Sequence, residues 1–489
     1  MTTVIPPIPM KKDLKRRDTV QQRKEKRALL GRIRMILSSS ALFLLPSAII
    51  SSTHIYFANA FATYLNARRR NFKARAVTLL LSRTTTNSII SSTDNDELSN
   101  EESLPNVLCI GETLWDSLPS GIFLGGAPSN VAVHLAYLFN DGPSNNNKNG
   151  PQSPTVAVAA CLGKDQLGYE ARRRLAIHGV RTDYIQYHPK WETGMAIALI
   201  DSNGDATYEF NTPAAWDGLC CLGDSNLTRL IQHQQLQSVV ENDDADEVLF
   251  VMGTIAGRLH NDYGATSLST LMAVRNTAPE GTVILDINLR SPWYDEKTVL
   301  ELARGGGGGG REEEEEEEEE ETKTKKKLAL LKLNEEELAV LERWCGMDDN
   351  TNVDEDPSSQ LIGDALKMRM ENLAKSLNTQ RICVTRGENG AALWCDVDTD
   401  NGNNSASFDE HPGYSLSAGN GGKANEESDT VGAGDAFLAS LINSLFIHGE
   451  SSGKALERAC ALGGYVAACR GATPVHGNAP DALREIFSI

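Results

Sequence analysis

Asp429-Thr430-Val431-Gly432-Ala433-Gly434-Asp435-Ala436-Phe437 is a polar turn with two glycines that runs directly into an apolar segment, Phe437 to Phe446. The order predicts an active-site loop opening a helix. Glycines at 432 and 434 permit backbone angles closed to other residues, so successive amides can point into one concavity, and the helix behind adds the positive end of its dipole. Such a concavity binds an oxyanion. A carboxylate at its mouth would repel phosphate, so Asp435 reads as a base. It would accept a proton from a hydroxyl attacking phosphorus while the amides of Gly432, Ala433 and Gly434 hold the charge of the transferred group. For a lone Gly-Ala-Gly, an ordinary helix start is the simpler reading.

The whole string, however, resembles at every position the C-terminal signature of the pfkB, or ribokinase-like, carbohydrate kinases. The resemblance implies Asp435 as catalytic base and Gly432, Ala433 and Gly434 as the anion hole. A second stretch joins Gly111-Glu112-Thr113-Leu114-Trp115-Asp116 to Leu124-Gly125-Gly126-Ala127-Pro128-Ser129-Asn130-Val131-Ala132. Adjacent glycines let backbone approach a ligand, Pro128 suits the first turn of a helix, and Asp116 and Asn130 offer an acceptor and an amide to a hydroxyl-rich ligand. This stretch resembles the N-terminal segment of fructokinase-type pfkB proteins, which implies sugar contacts at Asp116, Gly125, Gly126 and Asn130. Ribokinases proper have Lys after the glycine pair. Ala127 stands there in this chain, so the resemblance favours a hexose or a sugar acid over ribose.

Buried strands are expected at Val107 to Gly111, Thr155 to Leu162, Val248 to Gly253 and Thr282 to Ile287, from short apolar runs bounded by turn residues. Polar residues just past the carboxyl end of a parallel strand are where open α/β sheets place their sites. Asp286-Ile287-Asn288-Leu289-Arg290 occupies such a place. With Gly253-Thr254 and Arg258 it resembles the fructokinase and ketodeoxygluconate kinase branch, where the Arg can meet a sugar-acid carboxylate, so Arg290 is a substrate candidate. After Leu328 to Leu333, Asn334 and Glu337 lie three apart on an opening helical turn and supply oxygens suited to Mg²⁺, directly or through water. They resemble the family's NxxE motif, although helix capping explains the same residues. Arg381 to Thr385 leads into Arg386-Gly387-Glu388-Asn389-Gly390, which resembles the nucleotide-binding turn and sets Thr385 and Gly387 near ATP, with Asn334, Gly432 and Gly434 facing its phosphates. Thr193 to Ile200 and Ala206 to Phe210 read as a hairpin.

The fold class expected is α/β: a ribokinase-like three-layer αβα sandwich with a doubly wound, mostly parallel sheet. A small β-strand lid over the sugar would come from about residues 113–124 and 193–212. The resemblance spans roughly 105–489. It implies ATP, Mg²⁺ and a monovalent cation such as K⁺ beside the Asp429 loop, and a homodimer through the lid is a further expectation.

The chain's net charge of −19 hides an asymmetry. Residues 1–100 hold 17 Lys+Arg against 6 Asp+Glu, a net of +11; the remainder holds 30 against 60, a net of −30. An acidic body without a basic stripe excludes nucleic acid as partner. Residues 1–104 read as a presequence: a basic lead, an apolar run in a signal peptide at about 30–60, then an Arg-, Ser- and Thr-rich, transit-like tract over 61–104. This resembles the bipartite presequences of algae with secondary plastids, so plastid localisation is expected, with no membrane in the mature protein; a secretory or cytoplasmic location is the alternative. Nine cysteines without a CxxC pair suit a reducing compartment, and Cys109, Cys161 and Cys383 lie in apolar runs. Residues 141–154, 304–327 and 396–428 read as low-complexity insertions. Two other readings stand beside a sugar kinase of this family: a sugar-acid or nucleoside kinase, and a non-catalytic pfkB-like assembly or regulatory protein. Gly421-Gly422-Lys423 lacks a preceding strand and fails as a Walker loop, and Gly432-x-Gly434 lacks the third glycine of a dinucleotide fingerprint.

Overall fold

The computed structural model describes residues 103–118, 121–141, 153–200, 206–221, 225–240, 247–258, 266–305, 326–347, 362–396, 406–414 and 430–488. The presequence, most of the insertions and Asp429, beside which a monovalent cation was expected, lie outside the described residues. In chain order the strands are β1 (Val107–Ile110), β2 (Leu114–Leu118), β3 (Gly121–Gly125), β4 (Val156–Ala159), β5 (Cys161–Gly163), β6 (Gln186–His188), β7 (Gly194–Ile200), β8 (Ala206–Phe210), β9 (Leu249–Gly253), β10 (Val283–Asp286), β11 (Leu330–Asn334), β12 (Arg381–Thr385), β13 (Ala391–Cys395) and β14 (Ser407–His411). The helices are α1 (Ala127–Asp141), α2 (Gln166–Ile177), α3 (Asn226–Val240), α4 (Thr266–Thr277), α5 (Glu296–Arg304), α6 (Glu335–Trp344), α7 (Gly363–Leu377), α8 (Ala433–Ile442), α9 (Ser452–Ala467) and α10 (Asp481–Phe487).

Eight strands form the central sheet in the order β14-β13-β12-β11-β10-β9-β1-β4. From β12 to β4 every neighbouring pair is parallel, and β13 and β14 close one edge antiparallel. A parallel sheet covered on both faces needs strands that are apolar throughout. Val107-Leu108-Cys109-Ile110 and Val156-Ala157-Val158-Ala159 are buried at every position. One face carries Leu108, Ile110, Phe250 and Leu285 against Leu227 of α3, Leu271 of α4, Val299 of α5, Leu338 of α6 and Leu366 of α7. The other carries Val107, Cys109 and Val251 against Val131 of α1, Ala171 of α2, Leu438 of α8 and Leu456 of α9. Each such Leu, Ile or Phe contributes about 1.5–3 kcal/mol by leaving water. Cys109, Cys161 and Cys383 are free and buried, filling this core as small apolar residues.

The stretch 396–428, read from sequence as an insertion, contains a strand after all. Ser407–His411 pairs with β13, placing Phe408 opposite Trp394, and Phe408 packs on the core. One aromatic residue in a polar tract is enough to anchor an otherwise exposed edge strand to the core, and that is why composition alone misled.

A second sheet has four strands in the order β3-β2-β7-β8, and its β2 follows β1 directly in the chain. Strand β2 pairs antiparallel with β3 and parallel with β7, and β7 pairs antiparallel with β8. It is the expected hairpin joined to the strands that follow β1. Asp165 ties it down: this residue caps α2 by accepting from Gly168 N at 2.8 Å and also accepts from Thr193 N at 2.7 Å, one residue before β7. Among the described residues no helix is long and apolar enough to cross a membrane.

Candidate active site

The carboxyl ends of the central strands converge on one region. Asp286 is the last residue of β10, Asn334 of β11 and Thr385 of β12, and Asn334 and Thr385 pair directly across the sheet. Above them begins α8, capped by Gly432 in a left-handed conformation with φ 80°. A Cβ on Gly432 would lie 2.5 Å from the carbonyl oxygen of Ala472, so both conformation and space require glycine here. Ala433 N makes only a long 3.4 Å bond to Thr430 O, and among the described residues neither Gly432 N nor Gly434 N has an acceptor. The amides expected to hold an anion are therefore not consumed by the helix.

Asp435 sits in the first turn of α8, half-buried. Its Oδ2 accepts a hydrogen bond from Asn130 Nδ2 at 2.8 Å, joining residues 305 apart in sequence. Burial pushes the Asp435 carboxyl up to about 6; the Asn130 bond opposes the shift, Asp286 adds to it, and Lys332 and Arg290 oppose it. A carboxylate tuned close to neutrality is ionised above that value and still basic enough to take a proton. Arg290 is exposed, and its charge acts on the Asp435 carboxyl.

Lys332 is the residue that sequence reading missed. It lies on β11, buried, with Nζ 3.1 Å from each carboxylate oxygen of Asp286. A Cβ on Gly434 would stand 3.2 Å from that Nζ, so the ammonium backs the glycine loop. Burial alone would push Lys332 down, but Asp286, Glu337 and Asp435 outweigh it and hold the ammonium above its ordinary value. The signal was present: a lysine inside Leu328-Ala329-Leu330-Leu331-Lys332-Leu333 has no place in a buried strand unless an anion meets it.

Asn334 and Glu337 form a capping box on α6. Asn334 Oδ1 accepts from Glu337 N at 2.8 Å, and Glu337 Oε2 accepts from Asn334 N at 2.9 Å. Glu337 Oε1 accepts from Leu289 N at 2.7 Å, tying α6 to the loop after β10. Burial first, then Asp286, raises the Glu337 carboxyl above its ordinary value, with Lys332 and the two amides opposing. With every one of these side-chain oxygens already accepting an amide, the pair fits a hydrated Mg²⁺ held through water better than direct ligation. Among the described residues no three His, Cys, Asp or Glu side chains cluster as a metal site.

Of the residues expected at a sugar, Asp116 lies on β2, Gly125 on β3 and Asn130 on α1, with Gly126 between β3 and α1. A Cβ on Gly125 would run into the Asp116 carboxylate across the β2–β3 pairing. Phe123, paired with Asp116, packs against Gly471, next to the Ala472 that abuts Gly432, so β3 comes close to the turn that opens α8. Thr385 is half-buried and Gly387 exposed in the turn after β12; no hydrogen bond links either to Asp435.

Residues 121–256 match the family described as pfkB family carbohydrate kinase, and the resemblance read from the motifs is borne out there. "Probable fructokinase-6, chloroplastic" of Arabidopsis thaliana is 30% identical over 124 residues, 23% of this chain and 28% of that relative's own length. The crystal structure of a fructokinase with bound ATP from Xylella fastidiosa superposes with a TM-score of 0.50 at 20% identity, covering 78% of this chain and 98% of the other. The fold is ribokinase-like, a mostly parallel α/β sheet flanked by helices.

Proposed function

We propose that this chain is an ATP-dependent kinase of a small sugar, a fructose-like hexose in the first instance, with Asp435 as general base. The observation that carries the reading is one carboxylate, fixed by Asn130 and tuned to about 6, in the first turn of a helix whose leading amides are uncommitted and backed by the Lys332 ammonium. A sugar hydroxyl lying between Asp116, Asn130 and the Gly125-Gly126 turn would give its proton to Asp435 as its oxygen bonds to the γ-phosphorus. The bond from that phosphorus to the bridging oxygen breaks, and ADP leaves. Negative charge moving onto the phosphoryl oxygens meets the amides of Gly432, Ala433 and Gly434 and the nearby ammonium.

Thr385 and Gly387 would line the nucleotide. Asn334 and Glu337 would hold a hydrated Mg²⁺, which supplies neutralisation of phosphate charge when bound. A monovalent cation beside Asp429 and a lid-to-lid homodimer belong to the same reading. So does a plastid address in residues 1–104, in keeping with the chloroplast relative. Exposed Arg290, whose charge reaches the base, supports a sugar acid as second substrate class.

The test is a coupled ATP-consumption screen over fructose, ribose, ketodeoxygluconate and adenosine. Acceptor-dependent ADP release with fructose is expected. Release with ketodeoxygluconate alone would move the assignment to the sugar acid, and release with none of them would overturn the kinase reading in favour of a non-catalytic role.

A further inference from the structure

Glu112, at the carboxyl end of β1, takes no part in the scheme above, yet it is only 2% exposed in the same region. Its Oε1 accepts from Ala127 N, the first residue of α1, at 3.1 Å. Its Oε2 is buried without a hydrogen-bond partner. The backbone repeats the attachment: Gly126 has φ 102°, and a Cβ there would strike the carbonyl oxygen of Glu112. Thr113 adds a third tie, with its hydroxyl 2.6 Å from that of Ser129. These contacts stitch the first turn of α1 to the end of β1. The same turn carries Asn130, whose backbone N donates to Gly126 O at 2.9 Å and whose side chain holds Asp435.

Two charges act on Glu112: Asp435, in the first turn of α8, and Arg258, in the turn after β9. Arg258 is already committed to Asp217, with Nε 3.1 Å and Nη2 3.0 Å from its two oxygens, and is enclosed by Phe210, Trp216 and Trp293. Its Nη1 and Glu112 Oε2 are both buried and both unpartnered, so the two do not pair. A carboxylate buried with one oxygen unpartnered is costly in its ionised form.

We infer, resting on the kinase reading above, that Glu112 is a positioning residue: as a neutral carboxylic acid it fixes the start of α1, and so Asn130 against Asp435, without adding a second negative charge beside the base. The electrostatics agree. Burial lifts its carboxyl to about 8, its backbone hydrogen bonds oppose the shift, Asp435 adds to it, and Arg258 opposes it.

The test compares pH profiles of kcat for the wild type, Glu112→Gln, Glu112→Ala and Thr113→Val. Wild-type kcat should fall as pH rises through about 8, because ionisation of Glu112 then places a like charge beside Asp435 and the incoming phosphate. Glu112→Gln keeps the acceptor for Ala127 N and cannot ionise; it should hold kcat within about threefold of wild type at pH 7 and lose that falling limb. Glu112→Ala should lose kcat by about tenfold or more at every pH. Thr113→Val cuts a neighbouring tie without changing charge and should keep the limb. A limb retained in Glu112→Gln, or a Glu112→Gln kcat as low as that of Glu112→Ala, overturns the inference. Infrared difference spectra separate it from the kinase reading: a protonated-carboxyl band at pH 7, missing in Glu112→Gln, is expected whether or not any acceptor is phosphorylated. Its absence from the wild type refutes the neutral acid.

Discussion

Replacing Asp435 with Asn should stabilise the fold while disabling the chemistry. The carboxyl lies at about 6 in the folded protein against 3.8 for the unperturbed group, burial being the main cause. That difference, about 2 pKa units at about 1.36 kcal/mol each, amounts to about 3 kcal/mol. Its sign follows from where the proton is held more tightly. The folded carboxyl keeps its proton better than the unfolded one, so the stability it contributes is fully present below 3.8 and is lost as pH rises through about 6. Above that range the wild type bears the whole penalty of an ionised carboxylate in a half-buried site. The amide of Asp435→Asn never ionises, and its oxygen still offers Asn130 Nδ2 an acceptor. The stability difference, variant minus wild type, should therefore grow by roughly 2–3 kcal/mol between about pH 4 and about pH 8. Urea unfolding followed by tryptophan fluorescence at a series of pH values reads it directly. Parallel pH dependences in the two proteins would refute the account of Asp435 as a carboxyl strained by burial.

Lys332→Met strips the buried Asp286 of its cation and should destabilise by about 3–5 kcal/mol in urea unfolding, with part of the loss restored by adding Asp286→Asn; ATP affinity, read by calorimetric titration, should stay weak in both. Gly432→Ala forces a side chain into a left-handed position against Ala472 and should lower stability by about 1–2 kcal/mol and raise KM for ATP, with little effect on KM for the sugar. Unaltered ATP binding in either variant would separate that residue from the phosphate site.

The fold was legible because its strands are short, uniformly apolar runs ending in glycine or a polar residue, a pattern that burial on both faces of a parallel sheet demands. The lid was legible as a hairpin out of keeping with its βα surroundings. Asp435 and Asn130 could each be named from a local string, but their 2.8 Å contact joins segments 305 residues apart and is a property of the fold alone. Lys332 and Glu112 were visible only as misfits, a lysine within an apolar run and an acid against a buried strand. Their meaning depends on partners, Asp286 and Ala127, supplied by other elements. Asn334 and Glu337 show the converse. Their spacing suited a metal, and the structure uses the same oxygens first to cap a helix.

The most direct measurement is the sugar-dependent ATP turnover of Asp435→Asn beside that of the wild type, at a pH where the wild-type carboxyl is ionised. The account predicts a folded variant whose kcat falls by about 10²–10⁴-fold with ATP affinity nearly unchanged. A kcat close to that of the wild type would contradict the assignment of Asp435 as the base.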